Sequence, residues 1–286
     1  MGLPSLLSVL TCLLAAAVPG AVPPNIVAEG VPAVTPALTT ELTPYLNLGG
    51  AGFRGWHATR REALVTTRVG DASHLHLMAA PLAKRVALTG GVEPVKSGRM
   101  QPGGTLLLYA ADRGGDENYQ LHLKDLADPQ AKPARLTDGK SRNLSACWSP
   151  DGRRIAYATN RRNGKDNDIV VVEARPPYAE RIVHAGTSSG WSPVEWSPDG
   201  ARLLLRQSLG QTETRLWTMD VATTTKSQVT SRTERHYYAA AAFAEGGKTV
   251  VALADFGADF LTPVRIDLST GETRRLDGAP EWDGEE

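Results

Sequence analysis

Two strings in this chain carry residue types that do chemistry. Gly186-Thr187-Ser188-Ser189-Gly190 fits G-x-S-x-G, the turn that lifts a nucleophilic serine out of a strand when a helix follows it. His74-Leu75-His76 places two imidazoles on one face of a strand, the beginning of a zinc site if a third ligand is near. Neither string is completed by its neighbours. After Ser188 the chain runs through Trp191-Ser192-Pro193 into another strand-like segment, and His236 is the only later histidine. No third ligand stands at a supporting spacing from His74 and His76. No phosphate loop, dinucleotide fingerprint or EF-hand string occurs. The expectation is no catalytic residue, no cofactor and no metal.

Three further groups of polar residues need an account. Asp112-Arg113-Gly114-Gly115-Asp116-Glu117-Asn118-Tyr119-Gln120 is a charged loop, echoed by 160–168. Its residues Asp116, Glu117, Asn118, Tyr119 and Gln120 are candidates for contact with a neighbouring domain or a peptide, or are solvated connections. Asp125, Glu173, Asp220 and Asp267 resemble a catalytic or metal-binding set until their spacing of 48, 47 and 47 is noticed. Acids that recur at the end of a strand accept backbone amide hydrogens in the following turn. Cys147, beside Trp148, reads as a small buried hydrophobe.

The elements that position these groups repeat. Trp148-Ser149-Pro150-Asp151-Gly152 returns 48 residues later as Trp196-Ser197-Pro198-Asp199-Gly200. Phe243-Ala244-Glu245-Gly246-Gly247 follows in the same phase, and Met100-Gln101-Pro102-Gly103-Gly104 precedes. Leu88-Thr89-Gly90, Leu136-Thr137-Asp138-Gly139, Val229-Thr230 and Leu276-Asp277-Gly278 form a second series. A fixed period of this size marks a repeat architecture. In each unit, runs of branched and aromatic residues broken by glycine, proline and asparagine read as four short strands, which is one propeller blade. Pro150 and Pro198 preset one turn dihedral, and Gly152 and Gly200 tolerate a positive one. Five units are expected, at about 45–91, 92–139, 140–186, 187–231 and 232–278, with 279–286 beginning another. The fold class is therefore all-β, a β-propeller of about five recognisable four-stranded blades, either closed as a small ring or incomplete.

Lysine plus arginine equals aspartate plus glutamate at 31 each, so no electrostatic grip on nucleic acid is expected. Leu6 to Val18 is an apolar run ended by Pro19-Gly20, and 1–20 reads as an export signal, although no basic residue precedes the run. Exported, the protein is periplasmic or secreted; without a working signal it is cytoplasmic. The run is short for a membrane span, and none is expected after processing. Residues 21–44, rich in proline, alanine and threonine, read as an extended lead-in.

The chain resembles the amino-terminal β-propeller of the prolyl oligopeptidase family, especially its dipeptidyl and acylaminoacyl peptidase branches. The resemblance rests on Gly114-Gly115-Asp116-Glu117-Asn118-Tyr119-Gln120-Leu121, Leu136-Thr137-Asp138-Gly139, Asn160 to Ile169, Gly190-Trp191-Ser192 and the two Trp-Ser-Pro-Asp-Gly turns. It covers roughly 40–278. The turns alone are shared with TolB-like propellers, whereas the Gly-Gly-Asp-Glu-Asn-Tyr-Gln string is far more specific. The resemblance implies a propeller that caps an α/β-hydrolase domain and admits short peptides. In that family the serine, aspartate and histidine belong to the hydrolase domain, which follows the propeller, and this sequence contains none of it. The implied function is the non-catalytic propeller portion of a serine-type peptidase, with a hydrolase domain or a peptide as partner. The alternative is a stand-alone exported TolB-like scaffold that binds protein.

Overall fold

Short runs of β-branched and aromatic residues, each closed by a turn, make twenty strands among the residues described in this computed structural model: 27, 29–46, 50–57, 59–70, 72–128, 130–276 and 278. They form five four-stranded antiparallel meanders. The first sheet holds β1 (Ala51–Trp56), β2 (Ala63–Val69), β3 (Ala72–Met78) and β4 (Val86–Ala87). The second holds β5 (Val95–Met100), β6 (Leu106–Ala111), β7 (Gln120–Asp125) and β8 (Ala134–Arg135). The third holds β9 (Asn143–Trp148), β10 (Arg154–Thr159), β11 (Asp168–Glu173) and β12 (Glu180–His184). The fourth holds β13 (Trp191–Trp196), β14 (Arg202–Ser208), β15 (Thr214–Asp220) and β16 (Lys226–Gln228). The fifth holds β17 (Tyr238–Ala244), β18 (Thr249–Ala254), β19 (Thr262–Asp267) and β20 (Thr273–Arg275). Among the described residues this is a β-propeller of five four-stranded blades.

The chain divides into two compact units, 1–50 and 51–286. In the first, the end of the stretch expected to run extended, 21–44, is instead helical, in α1 (Pro36–Leu46). Thr35 Oγ1 accepts the Leu38 amide at 3.2 Å, and Pro36 suits the first helical position because its missing N–H has no partner there anyway. The apolar run expected as an export signal and the segment 279–286 lie outside the described residues. Among the described residues no helix is long and apolar enough to cross a membrane.

Alternation along the strands builds the core. Ile155 and Tyr157 of β10 face the second sheet and pack with Leu108, Leu121 and Val170. Ala156 and Ala158 face the fourth and pack with Leu203, Leu205 and Met219. A period of two thus buries both faces of one strand in two different junctions. Leu64, Leu75 and Leu107 fill the junction of the first and second sheets, and Leu204, Leu216, Val250 and Val264 fill that of the fourth and fifth.

The repeated turns tie one blade to the next. Ser149 Oγ donates to Asp151 at 2.6 Å and accepts the Arg154 amide at 2.9 Å. Ser197, Asp199 and Arg202 repeat this at 2.5 and 2.9 Å. Trp148 Nε1 donates to the Arg99 carbonyl of the preceding blade, and Trp196 Nε1 to the Cys147 carbonyl, both at 3.3 Å. In return the second, third and fourth blades reach forward. Gln101 Nε2 donates to Gly152 O at 2.8 Å, Arg154 Nη2 to Gly200 O at 2.8 Å and Arg202 Nη2 to Gly247 O at 2.6 Å. Gly152 has φ +67°, and a Cβ there would lie 2.6 Å from the Pro102 carbonyl oxygen.

First strands of neighbouring sheets pack on one another at three junctions (β1 on β5, β9 on β13, β13 on β17), whereas fourth strands meet mainly their own sheets. The first strands therefore line the axis. Each carries a β-bulge: between Phe53 and Gly55, Val95 and Ser97, Leu144 and Cys147, Pro193 and Glu195, and Tyr238 and Ala240. A bulge interrupts pairing and re-aims the side chains beside it.

Candidate functional site

The G-x-S-x-G string forms the connection from β12 to β13, as bends and a turn without a helix. The neighbouring charged loop clamps it. Arg162 grips the buried Asp168 carboxylate, with Nε and Nη2 each 2.9 Å from an oxygen, and its Nη2 also donates to Gly186 O at 2.7 Å. The Asn167 amide donates to Ser188 O at 2.9 Å, and Asn167 Nδ2 to Ser189 O at 2.7 Å. A Cβ on Gly186 would stand 1.9 Å from the Asn167 carbonyl oxygen, and one on Gly190 would stand 2.1 Å from that of Ser208. Close backbone approach accounts for both glycines. Ser188 Oγ accepts the Gly190 amide at 3.4 Å, and among the described residues no histidine or carboxylate reaches it.

The loop preceding β7 is organised differently. Asp116 takes the Asn118 amide at 2.9 Å, and this bond is the largest cause holding its carboxyl below the usual range. The Glu117 amide donates to Asp112 at 3.1 Å, with Glu117 itself at φ +57°. Asp116 and Glu117 are exposed; Asn118 and Tyr119 are half-buried, with Lys96 Nζ 5.6 Å from the Tyr119 ring centre. Gln120 is buried and joins blades: Oε1 accepts from Thr137 Oγ1 at 2.7 Å and the Gly139 amide at 2.8 Å, while Nε2 donates to Ser141 O at 2.8 Å.

The recurrent acids sit at strand ends. Asp125 accepts the Ala127 amide at 2.9 Å and Asp220 the Thr223 amide at 2.8 Å. Asp267 takes the Ser269 hydroxyl at 2.6 Å and amide at 2.8 Å, and these bonds draw its carboxyl down to about 2. Pro150 and Pro198 are exposed on their turns. His74 and His76 are buried. His76 Nδ1 lies 3.0 Å from Thr67 Oγ1, and His74 Nε2 lies 3.1 Å from Gly91 O. Among the described residues no three metal-capable side chains come together. Burial pushes the Cys147 thiol up to about 12, so it is inert as a thiolate nucleophile.

The sheets also assemble a site that none of these strings announces. At the axis, a cavity of about 540 Å³ is lined by Arg99 of β5, Ser145 of β9, Ser192 to Glu195 of β13, Arg206 of β14 and Ala239 to Ala241. A second cavity of about 560 Å³ shares Ser145, Ser192 and Arg206 with it and adds Trp191, Ser188 and Asn167. Burial raises the Glu195 carboxyl above its ordinary value, opposed by the Phe243 amide that it accepts and by Arg99. The sequence does hold a signal for Arg206. Its equivalents in the repeat are Thr66, Ala110, Ala158 and Leu253, so a guanidinium stands where every other blade carries an uncharged side chain.

Comparisons with known proteins agree with this architecture. The family model of the prolyl oligopeptidase N-terminal β-propeller domain matches residues 90–280. No curated protein matches the chain. A solved TolB-like protein from Agrobacterium tumefaciens is 16% identical at a TM-score of 0.57, over 79% of this chain and 80% of its own. An oligogalacturonate lyase in complex with manganese is 12% identical at a TM-score of 0.61, over 79% of this chain and 66% of its own. A puromycin-hydrolysing peptidase from Mycobacterium tuberculosis is 17% identical at a TM-score of 0.61, over 78% of this chain and 36% of its own. The chain thus spans just under two thirds of the lyase and about a third of the peptidase. At these identities the likeness is one of fold.

Proposed function

The chain belongs to the prolyl oligopeptidase N-terminal β-propeller family, and from that premise we propose that it is the non-catalytic propeller portion of a serine peptidase, binding or gating peptides along its axis and docking an α/β-hydrolase domain. The observation that carries the reading is the polar cavity at the axis, where Arg99, Glu195 and Arg206 from different strands face one space beside open serines. A few convergent polar groups in a cleft fix the orientation of a ligand and supply specificity. The exposed Asp116 and Glu117 at the loop before β7 supply the contact to the docked domain or the entering peptide. Export directed by residues 1–20 belongs to the same proposal.

The test is a pair of measurements on the purified protein. A serine-directed phosphonate is expected to leave Ser188 unlabelled, and a fluorescent short peptide is expected to bind saturably. Stoichiometric label on Ser188 overturns the non-catalytic reading, and absence of saturable binding overturns the peptide reading. A stand-alone TolB-like scaffold is the second reading, favoured by the 80% of the Agrobacterium tumefaciens protein that the chain spans. Complex formation with a purified α/β-hydrolase domain of the family separates the two.

A further inference from the structure

We propose that the place where the two cavities meet, around Arg206, holds the carboxylate of a peptide. The inference rests on the peptide-binding reading and names the group that would be recognised. Arg206 Nη1 donates to the Ala239 carbonyl at 2.8 Å, but its Nε is buried with no partner. Arg206 makes no ion pair among the described residues. A half-buried guanidinium without a counter-ion is an unfavourable arrangement that an anion relieves. Trp191, which lines the second cavity, also has a buried Nε1 with no partner. Ser145 and Ser192 line both cavities, and their hydroxyls are without a hydrogen-bond partner among the described residues. Ser145 stands at φ +54° on the β9 bulge, a sparsely populated backbone conformation for an L-residue that recurs at ligand sites.

Every one of these unmatched groups is able to donate. The neighbouring acceptor, Glu195, already takes the Phe243 amide, and its carboxyl is raised by burial. A space lined by donors around a planar guanidinium selects a planar, doubly accepting anion, and a carboxylate matches that fork. Pro193, Val194 and Leu216 of the first cavity offer an apolar wall for the adjoining side chain.

A carboxylate reaches the site from a peptide C-terminus or from an acidic side chain, and three fluorescent peptides distinguish the sources. One has a free C-terminus and no acidic residue, the second is its C-terminal amide, and the third is the amide carrying one glutamate. Binding is read by anisotropy on the full chain. The free acid or the glutamate amide is expected to bind at least tenfold tighter than the plain amide, and which of them does so identifies the source. In Arg206→Gln the difference is expected to vanish, and in Arg206→Lys to shrink, because the charge stays while the fork is lost. Equal binding of all three peptides overturns the carboxylate inference and leaves the peptide reading standing. Binding of none overturns both. Should Arg206→Gln fail to fold, the wild-type comparison decides alone.

Discussion

Trp196 is 4% exposed and Trp148 is 8% exposed, and each indole packs in the apolar cluster of a blade junction. The Arg154 guanidinium lies 4.6 Å from the Trp196 ring centre, while Nε1 reaches back to the preceding blade. Truncation removes a large buried surface, leaves a cavity and strands a carbonyl. Trp148→Ala and Trp196→Ala are each expected to destabilise by roughly 3–5 kcal/mol in denaturant unfolding; losses below about 1 kcal/mol would contradict this packing. His184 gives a second expectation. Burial, then Lys226, with Nζ 3.3 Å from Nε2, lower its imidazole pKa to about 4. The unfolded chain takes up that proton near about 6.5, so between these values the unfolded state binds more protons and acid favours it. Stability is therefore expected to fall as pH drops from about 6.5 to about 4. Thermal midpoints across that window are expected to fall less steeply in His184→Gln. His57 and His122, lowered mainly by burial, act in the same direction, so part of the slope remains.

At the scale of the element, the connection from β12 to β13 separates a motif from its meaning. Gly186→Ala and Gly190→Ala each drive a methyl into a carbonyl oxygen of a neighbouring segment, and each is expected to cost about 1–3 kcal/mol. Ser188→Ala in the same turn is expected to change stability by less than about 0.5 kcal/mol; chemical denaturation of the three variants checks the contrast. The repeated Trp-Ser-Pro-Asp-Gly turns are legible in the sequence itself. Ser149, Asp151 and Gly152 occupy positions where only a few residue types satisfy the turn, so their identity reports their geometry. Arg206 shows in the sequence only as a charge that breaks the repeat, not as a residue whose type fixes its geometry. A lone arginine in a strand reads as a solvent-facing residue, and Ser145, Trp191 and Glu195 come from other strands, brought together only by stacking of the blades. The Asp168 carboxylate presents the opposite case, a charge in a conspicuous loop that Arg162 and the Gly186 amide satisfy internally. Helix α1 was hidden because its threonines and prolines give no apolar period, and its start rests on the Thr35 cap.

Across the whole propeller, cohesion passes between consecutive sheets, through four separate apolar clusters. Stability in such an array is approximately a sum of blade and nearest-neighbour terms. The third sheet is covered on both faces, whereas Phe53 and Trp56 of β1 are 58% and 69% exposed. Amide exchange is accordingly expected to be slowest in β10 and β11 and fastest in β1, as read by mass spectrometry; uniform protection across the five sheets would mean one indivisible cooperative unit. The forward-reaching donors Gln101, Arg154 and Arg202 add a direction to this array. Each belongs to the blade made earlier, and the glycine carbonyl it holds belongs to the blade made next. On a ribosome, the side chain that anchors the third, fourth or fifth blade is therefore made before the glycine carbonyl it will hold.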